Sequence, residues 1–209
     1  MKLKLPLTVL GLSLMLAATG CAAASDADAT SQDSAQTEEK APVPDTAIPD
    51  APIANFRKVR DGLYRGGHPD DAGLDYLKGL GVKTIVDLEV GDFIEAFPWD
   101  ISHEVDAAKH RGITIIRKPM SAFEAAASDR FDTMMDEIQT ILKDPANGPV
   151  YVHCKHGQDR TGLVIGLERV FNDEWKPADA YKEMETDGFH PFFLGLKEYF
   201  ERKTGWEDD

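Results

Sequence analysis

Cysteine is scarce in this chain of 209 residues, which has only Cys21 and Cys154, so no disulfide framework can hold it together and each thiol needs its own explanation. Positive charge is scarce too. Against 37 acidic side chains stand 23 lysines and arginines, a net charge of −14, and that balance argues against broad nucleic-acid binding, which depends on clustered basic residues. Any anionic ligand must therefore be met by a local positive field. Beyond the first 20 residues there is no long apolar run, which excludes a multi-span membrane protein. The 42% of hydrophobic residues is nevertheless enough for a core and excludes a wholly disordered chain. The length suits one domain with extensions.

The one apolar run, Leu5 to Ala18, follows Lys2 and Lys4 and has the length of an export signal, short for a membrane span. It ends in Ala18-Thr19-Gly20-Cys21, which resembles the lipobox of bacterial lipoproteins. The resemblance implies that residues 1–20 are a signal peptide, that Cys21 carries a lipid, and that this anchor is the chain's contact with the membrane. Ala22 in place of an aspartate implies the periplasmic face of an outer membrane. A plainly secreted protein and an uncleaved anchor are the alternatives. Residues 21–52 hold Ala, Ser, Thr, Asp, Glu and Pro with few large apolar side chains, too few to offset chain entropy, and read as a disordered acidic tether. The folded domain is expected over 53–209.

Within it, Asp70 can cap a helix whose Leu74, Leu77 and Leu80 share a face, and Gly81 stops it before the apolar strand Val82 to Leu88. The unit recurs. Ile101 to Arg111 predicts a helix closed by Gly112, and Ile113 to Ile116 a strand. Phe131, Met134, Met135, Ile138 and Leu142 mark an amphipathic helix before Val150-Tyr151-Val152, a strand apolar enough to be buried on both faces. Further helices are expected over 163–171, 177–186 and 192–202, the second opened by Pro177. Alternating helices and short apolar strands imply an α/β fold, a central mostly parallel sheet flanked by helices.

After Val152 comes His153-Cys154-Lys155-His156-Gly157-Gln158-Asp159-Arg160-Thr161-Gly162, then a helix. A loop that enters a helix N-terminus points backbone N–H groups inward and adds the positive end of the dipole, so a tetrahedral oxyanion fits there. Gly157 permits a backbone conformation that a side chain forbids. Arg160 can grip two oxygens with its planar fork. The same field favours a thiolate nucleophile at Cys154, and Thr161 can donate its hydroxyl to that sulfur.

His153-Cys154-x5-Arg160-Thr161 resembles the signature of the cysteine-dependent protein tyrosine phosphatase superfamily, in particular its atypical dual-specificity and bacterial phytase-like members. Leu63-Tyr64-Arg65-Gly66-Gly67-His68-Pro69 and Gly81 to Leu88 are similar to the same group. The resemblance implies a phosphatase without cofactor, with Cys154 the phosphocysteine nucleophile, Arg160 the transition-state clamp, residues 155–160 the phosphate loop and His153 a structural residue. Thiol-relay arsenate reductases need more cysteines, and sulfurtransferase loops are typically shorter. The family's general acid is normally an aspartate on the loop after the strand matching Ile113 to Ile116. Here that loop offers Glu124, with Asp129 further on. Asp159, in a Gly-x-Asp-Arg-Thr string similar to that of the myotubularin lipid phosphatases, is the other candidate.

The expected substrate follows from charge placement. Lys155, His156, Gly157 and Gln158 lie in the loop, Arg117 and Lys118 end a strand that should point the same way, and Arg65 and His68 can add to the field. Such a pocket suits a compact polyanion, an inositol polyphosphate such as phytate. A phosphoprotein, through tyrosine or dual-specificity phosphatase activity, is the alternative, and a non-catalytic lipoprotein that captures phosphorylated ligands is a further one. His103 and His110 are expected on the surface, and with no cluster at ligand spacing no metal is expected.

Overall fold

Short apolar strands and one-sided helices can bury their faces only by stacking in layers, and the chain does so. The computed structural model describes residues 42–90, 98–121 and 129–207. Among them the strands are β1 (Thr46–Ala47), β2 (Arg57–Arg60), β3 (Leu63–Gly66), β4 (Thr84–Asp87), β5 (Thr114–Arg117) and β6 (Val150–His153). The helices are α1 (Asp71–Gly79), α2 (Pro98–His110), α3 (Asp129–Lys143), α4 (Asp159–Phe171), α5 (Pro177–Thr186) and α6 (Leu194–Thr204). One sheet runs in the order β1-β2-β3-β6-β4-β5, parallel from β3 to β5 and antiparallel where β2 joins β3 and β1 joins β2.

β6 lies at the centre and is buried on both faces, as its unbroken apolar run requires. Val150 and Val152 face a cluster built with Phe131, Met135, Ile138, Leu163, Tyr199 and Phe200, whereas Tyr151 faces Phe56, Leu74, Leu77, Ile85 and Ala108. Burying each such side chain is worth about 1.5–3 kcal/mol. α4 is wrapped on all sides, with every residue from Arg160 to Arg169 buried. His103 and His110 are exposed on α2.

The fold starts earlier than the expected boundary at Ile53. Thr46 pairs with Lys58 and Ala47 with Arg57, and the Asp45 carboxylate, 2% exposed, sits 3.0 Å from Arg57 Nη1. Composition assigns Asp45 to the tether because it counts acids without their partners. The guanidinium groups of Arg57 and buried Arg65 need anions, and Asp45 supplies one of them. The signal peptide, Cys21 and the tether up to residue 41 lie outside the described residues.

Candidate active site

Register sets the position of the site. Gly66 on β3 and Asp87 on β4 both pair with His153, so three parallel strands end level with one another and the chain leaves the sheet at Cys154. Cys154 is a free thiol, 3% exposed. The next residues fold into a tight loop over the ends of β3 and β6. Gly157 there has φ +71°, and a Cβ would lie 2.3 Å from the Gly66 carbonyl carbon, so no other residue fits. The Gly157 carbonyl accepts from Arg65 Nη2 at 2.9 Å and from Asn55 Nδ2 at 3.0 Å, while the Lys155 carbonyl accepts from the His68 backbone N–H at 3.1 Å. The loop is thus fixed from outside by backbone and side-chain donors.

Behind those donors is a second layer. Arg65 Nη1 lies 2.7 Å from Asp187 Oδ2, and Arg57 Nη1 lies 2.9 Å from Asp187 Oδ1. Burial pushes the Asp187 carboxyl up to about 7; Arg65 pulls it down, and neighbouring Asp45 pushes it further up. Asn55 Nδ2 also donates to the Asp187 carbonyl at 3.0 Å, joining the loop to the end of α5.

α4 opens at Asp159, and its first turn aims unsatisfied N–H groups and the dipole at the loop. Arg160 and Thr161 are buried, and the Thr161 hydroxyl has no hydrogen-bond partner among the described residues. A hydroxyl in that condition calls for an acceptor, such as a thiolate or a bound oxyanion.

Beneath the nucleophile, His153 is fully buried with Glu104 Oε1 3.0 Å from its Nε2, Glu89 Oε1 3.6 Å from its Nδ1 and Asp87 Oδ1 4.0 Å from its Nε2. Burial opposes its charge, but Glu104 and then Asp87 and Glu89 outweigh that and push its pKa up to about 9, so it is an imidazolium at neutral pH. His68 bonds Glu89 through Nδ1 at 2.8 Å; burial again opposes its charge, and Glu89 with Glu104 raises it. Burial would raise Glu89, yet His68, His153 and Arg160 together hold its carboxyl below the usual range. Arg117 Nε, 2.6 Å from Asp87 Oδ2, completes the balance. His68, Glu89 and His153, and likewise Asp87, Glu104 and His153, bring possible metal-ligating atoms within 4.8 Å of one another. The expectation that no such cluster exists therefore fails in three dimensions. The imidazoles and Arg117 already answer the carboxylates, and the groups fit a network of ion pairs.

The structure brings Cys154, Lys155, His156, Gly157, Gln158, Asp159, Arg160 and Thr161 into one loop and helix end, with His153 below and Lys155 and His156 exposed. Two expected substrate-binding residues are elsewhere. Arg65 is 0% exposed and spends its guanidinium on Asp187 and the Gly157 carbonyl, so it holds the loop and cannot meet a substrate. Lys118 pairs with Glu137 of α3 at 2.5 Å, in a surface groove lined by Thr133, Asp136, Thr140 and Ile141. Arg117, drawn to Asp87 and the Glu89 carbonyl, closes the strand ends. Asp159 Oδ1 accepts the His190 backbone N–H at 2.8 Å and lies 2.9 Å from His190 Nδ1. Asp129 is the exposed first residue of α3, and Glu124 lies outside the described residues.

Asn55, Glu104, Asp187 and His190 are site residues that the sequence reading missed. Glu104 had a readable signal: it shares the buried face of α2 with Ala107 and Ala108, where an acid needs a cationic partner. The others act across 31 to 132 positions of chain and leave no local pattern.

Comparison with known proteins agrees with this geometry. Inositol diphosphatase DSP4 of Arabidopsis thaliana is 31% identical over 118 residues, 56% of this chain and 56% of that protein. Dual specificity protein phosphatase TpbA of Pseudomonas aeruginosa is 28% identical over 144 residues, 66% of this chain and 56% of that protein. The chain spans about half the length of the curated relatives it matches. In fold it is similar to the crystal structure of P. aeruginosa TpbA, with a TM-score of 0.58 at 24% identity over 79% of this chain and 92% of that one. It is also similar to the core catalytic domain of the PP-IP phosphatase SIW14 from S. cerevisiae, with a TM-score of 0.59 at 23% identity over 75% and 87%. The family described as a DSP-PTPase phosphatase fused to NAD+ kinase matches residues 48–192, the span that carries the loop and strands β2 to β6. By that match the chain belongs to the DSP-PTPase phosphatase family.

Proposed function

We propose that the protein hydrolyses phosphomonoesters through a phosphocysteine intermediate and that its substrates are compact polyanions of the inositol polyphosphate class. The observation that carries this reading is the loop itself, in which a buried thiol sits at a helix N-terminus above an imidazolium, with Arg160 and an unpartnered Thr161 hydroxyl beside it. In the first step Cys154 Sγ attacks phosphorus, the ester P–O bond breaks, and the leaving oxygen takes a proton. Arg160 and the loop N–H groups meet the charge on the transferring oxygens. In the second step water attacks the phosphocysteine, and the Thr161 hydroxyl steadies the departing thiolate.

The polyanion reading rests on the exposed Lys155 and on Arg160 at the helix N-terminus, which give local positive charge in an acidic protein. Relatives named as inositol diphosphatases support it. Phosphotyrosine is a second reading, favoured by Phe192, which is 68% exposed and packs against His190 at 5.1 Å, a ring face for an aryl ester. Export and lipidation at Cys21 form part of the proposal and rest on the sequence alone.

The test is phosphate release by the full chain from phytate, a phosphotyrosine peptide and an aryl phosphate, beside Cys154→Ser. Turnover of phytate well above the others, lost in the variant, is expected. A preference for the peptide would move the assignment to a protein phosphatase. Binding without Cys154-dependent release would leave a capture protein.

A further inference from the structure

Four consecutive residues after α5 pack against the phosphate loop, the residues that support it and the first turns of α4. Asp187 holds Arg65 and accepts from Asn55; Gly188, with φ +95°, lies so close to Gln158 that a Cβ would meet its Nε2 at 2.6 Å. Phe189 covers Gly162, and His190 reaches Asp159, the last loop residue before Arg160. Asp159 Oδ1 accepts the backbone N–H of His190 and lies 2.9 Å from its ring Nδ1, where the tautomer protonated at Nδ1 would donate to the same oxygen. The Asp159 side chain is 13% exposed and the His190 side chain 45%. Phe192 and Phe193, with ring centroids 5.1 and 6.2 Å away, limit where the imidazole can turn. When Nδ1–H is held by a carboxylate, Nε2 is the ring atom left to exchange protons, and the carboxylate fixes both tautomer and orientation.

We propose that His190 is the proton-transfer residue of the site and that Asp159 is its positioning residue, which reassigns the role expected for Asp159 itself. The inference rests on the phosphatase reading above. As Cys154 Sγ bonds to phosphorus and the ester P–O bond breaks, protonated His190 gives its Nε2 proton to the leaving oxygen, releasing the alcohol. Neutral His190 then takes a proton from water as that water's oxygen attacks phosphorus. The P–S bond breaks, inorganic phosphate leaves, and the thiolate and the imidazolium are restored together. No other reactant is needed.

Leaving-group dependence tests the assignment. 4-Nitrophenol departs from phosphorus with little help, whereas phenol, with a pKa of about 10 like the tyrosine side chain, needs a proton. The full chain, His190→Ala and His190→Asn are compared in pre-steady-state release from the two aryl phosphates. Asn can still donate to Asp159 but carries no transferable proton. Both variants should lose about 10²–10³-fold in the first-step rate constant on phenyl phosphate, the range general acids supply, and a markedly smaller factor on 4-nitrophenyl phosphate. Added imidazole should restore turnover in His190→Ala. An equal loss on both esters, wild-type rates in His190→Asn, or failure of imidazole to rescue would overturn the proposal and leave His190 a structural contact. Absence of Cys154-dependent release from either ester by the unaltered chain is a separate outcome, which would overturn the phosphatase reading and this proposal with it.

Discussion

The buried acids Asp87, Glu89 and Glu104 would be a liability without His153 and His68, and the histidines would be neutral without the acids. This mutual dependence has a measurable sign. His153 has a folded pKa of about 9 against an ordinary value of 6.5, so its stabilisation is complete below about pH 6.5 and disappears as pH rises through 9. The difference corresponds to about 3 kcal/mol. Asp187, pushed up to about 7, loses its own contribution between its ordinary value of 3.8 and 7, so the window from pH 7 to 9 reports on His153 together with His68, whose raised pKa adds a fall of the same sign above 6.5. Urea unfolding of the wild-type chain should give stability that falls across that window, and Glu104→Gln should flatten the slope. Equal slopes in the two proteins would remove Glu104 as the main source of the imidazolium.

At the scale of elements, the parallel strands β4, β5 and β6 and the helices were legible in the pattern of their apolar residues, whereas β3 entered only as a stretch similar to a family and was not expected as a strand. α3 carries Phe131, Met135, Ile138 and Leu142 on one face, and Ile85-Val86 of β4 and Val150-Tyr151-Val152 of β6 are short apolar runs. β2 was not legible, since Arg57-Lys58-Val59-Arg60 buries only Val59 and its arginines make long-range ion pairs. β1 was hidden for the same reason, as two exposed residues tied down by a neighbouring acid. The candidate site divides in the same way. Its loop is contiguous and could be read directly, whereas its supports come from β3, α2 and the turn after α5, and only folding brings them together. A chain beginning at Ile53 tests the point. It lacks β1 and Asp45, and with them the bond from the Asp45 backbone N–H to Glu183 Oε1 and the Asp45–Arg57 pair. Compared with a chain beginning at Pro42, it should lose about 1.5–3 kcal/mol, the worth of a charge-assisted hydrogen bond. Equal melting temperatures would place residues 42–52 outside the stable fold.

Seen as a whole, the molecule sets a negative far field against a positive near one. The net charge is −14, yet the loop presents a helix N-terminus, Arg160 and Lys155, while the imidazolium of His153 beneath it is matched by Glu104, Asp87 and Glu89. The reach of each field depends on salt. The Debye length falls from about 30 Å at 0.01 M ionic strength to about 10 Å at 0.1 M, so the first additions of salt screen the distant repulsion while contacts inside the loop are screened least. A substrate bearing several phosphates feels that repulsion in proportion to its charge. Its kcat/KM should therefore rise several-fold between about 0.01 and 0.1 M salt, whereas 4-nitrophenyl phosphate should change little over the same interval. A protein that gathers polyanions with a broadly basic surface behaves in the opposite way, losing association rate as salt is added. Measuring both substrates across that range separates the two designs. A fall in kcat/KM for the polyanion from the lowest salt upward would mean that the local field of the loop extends past the acidic surface and governs encounter itself.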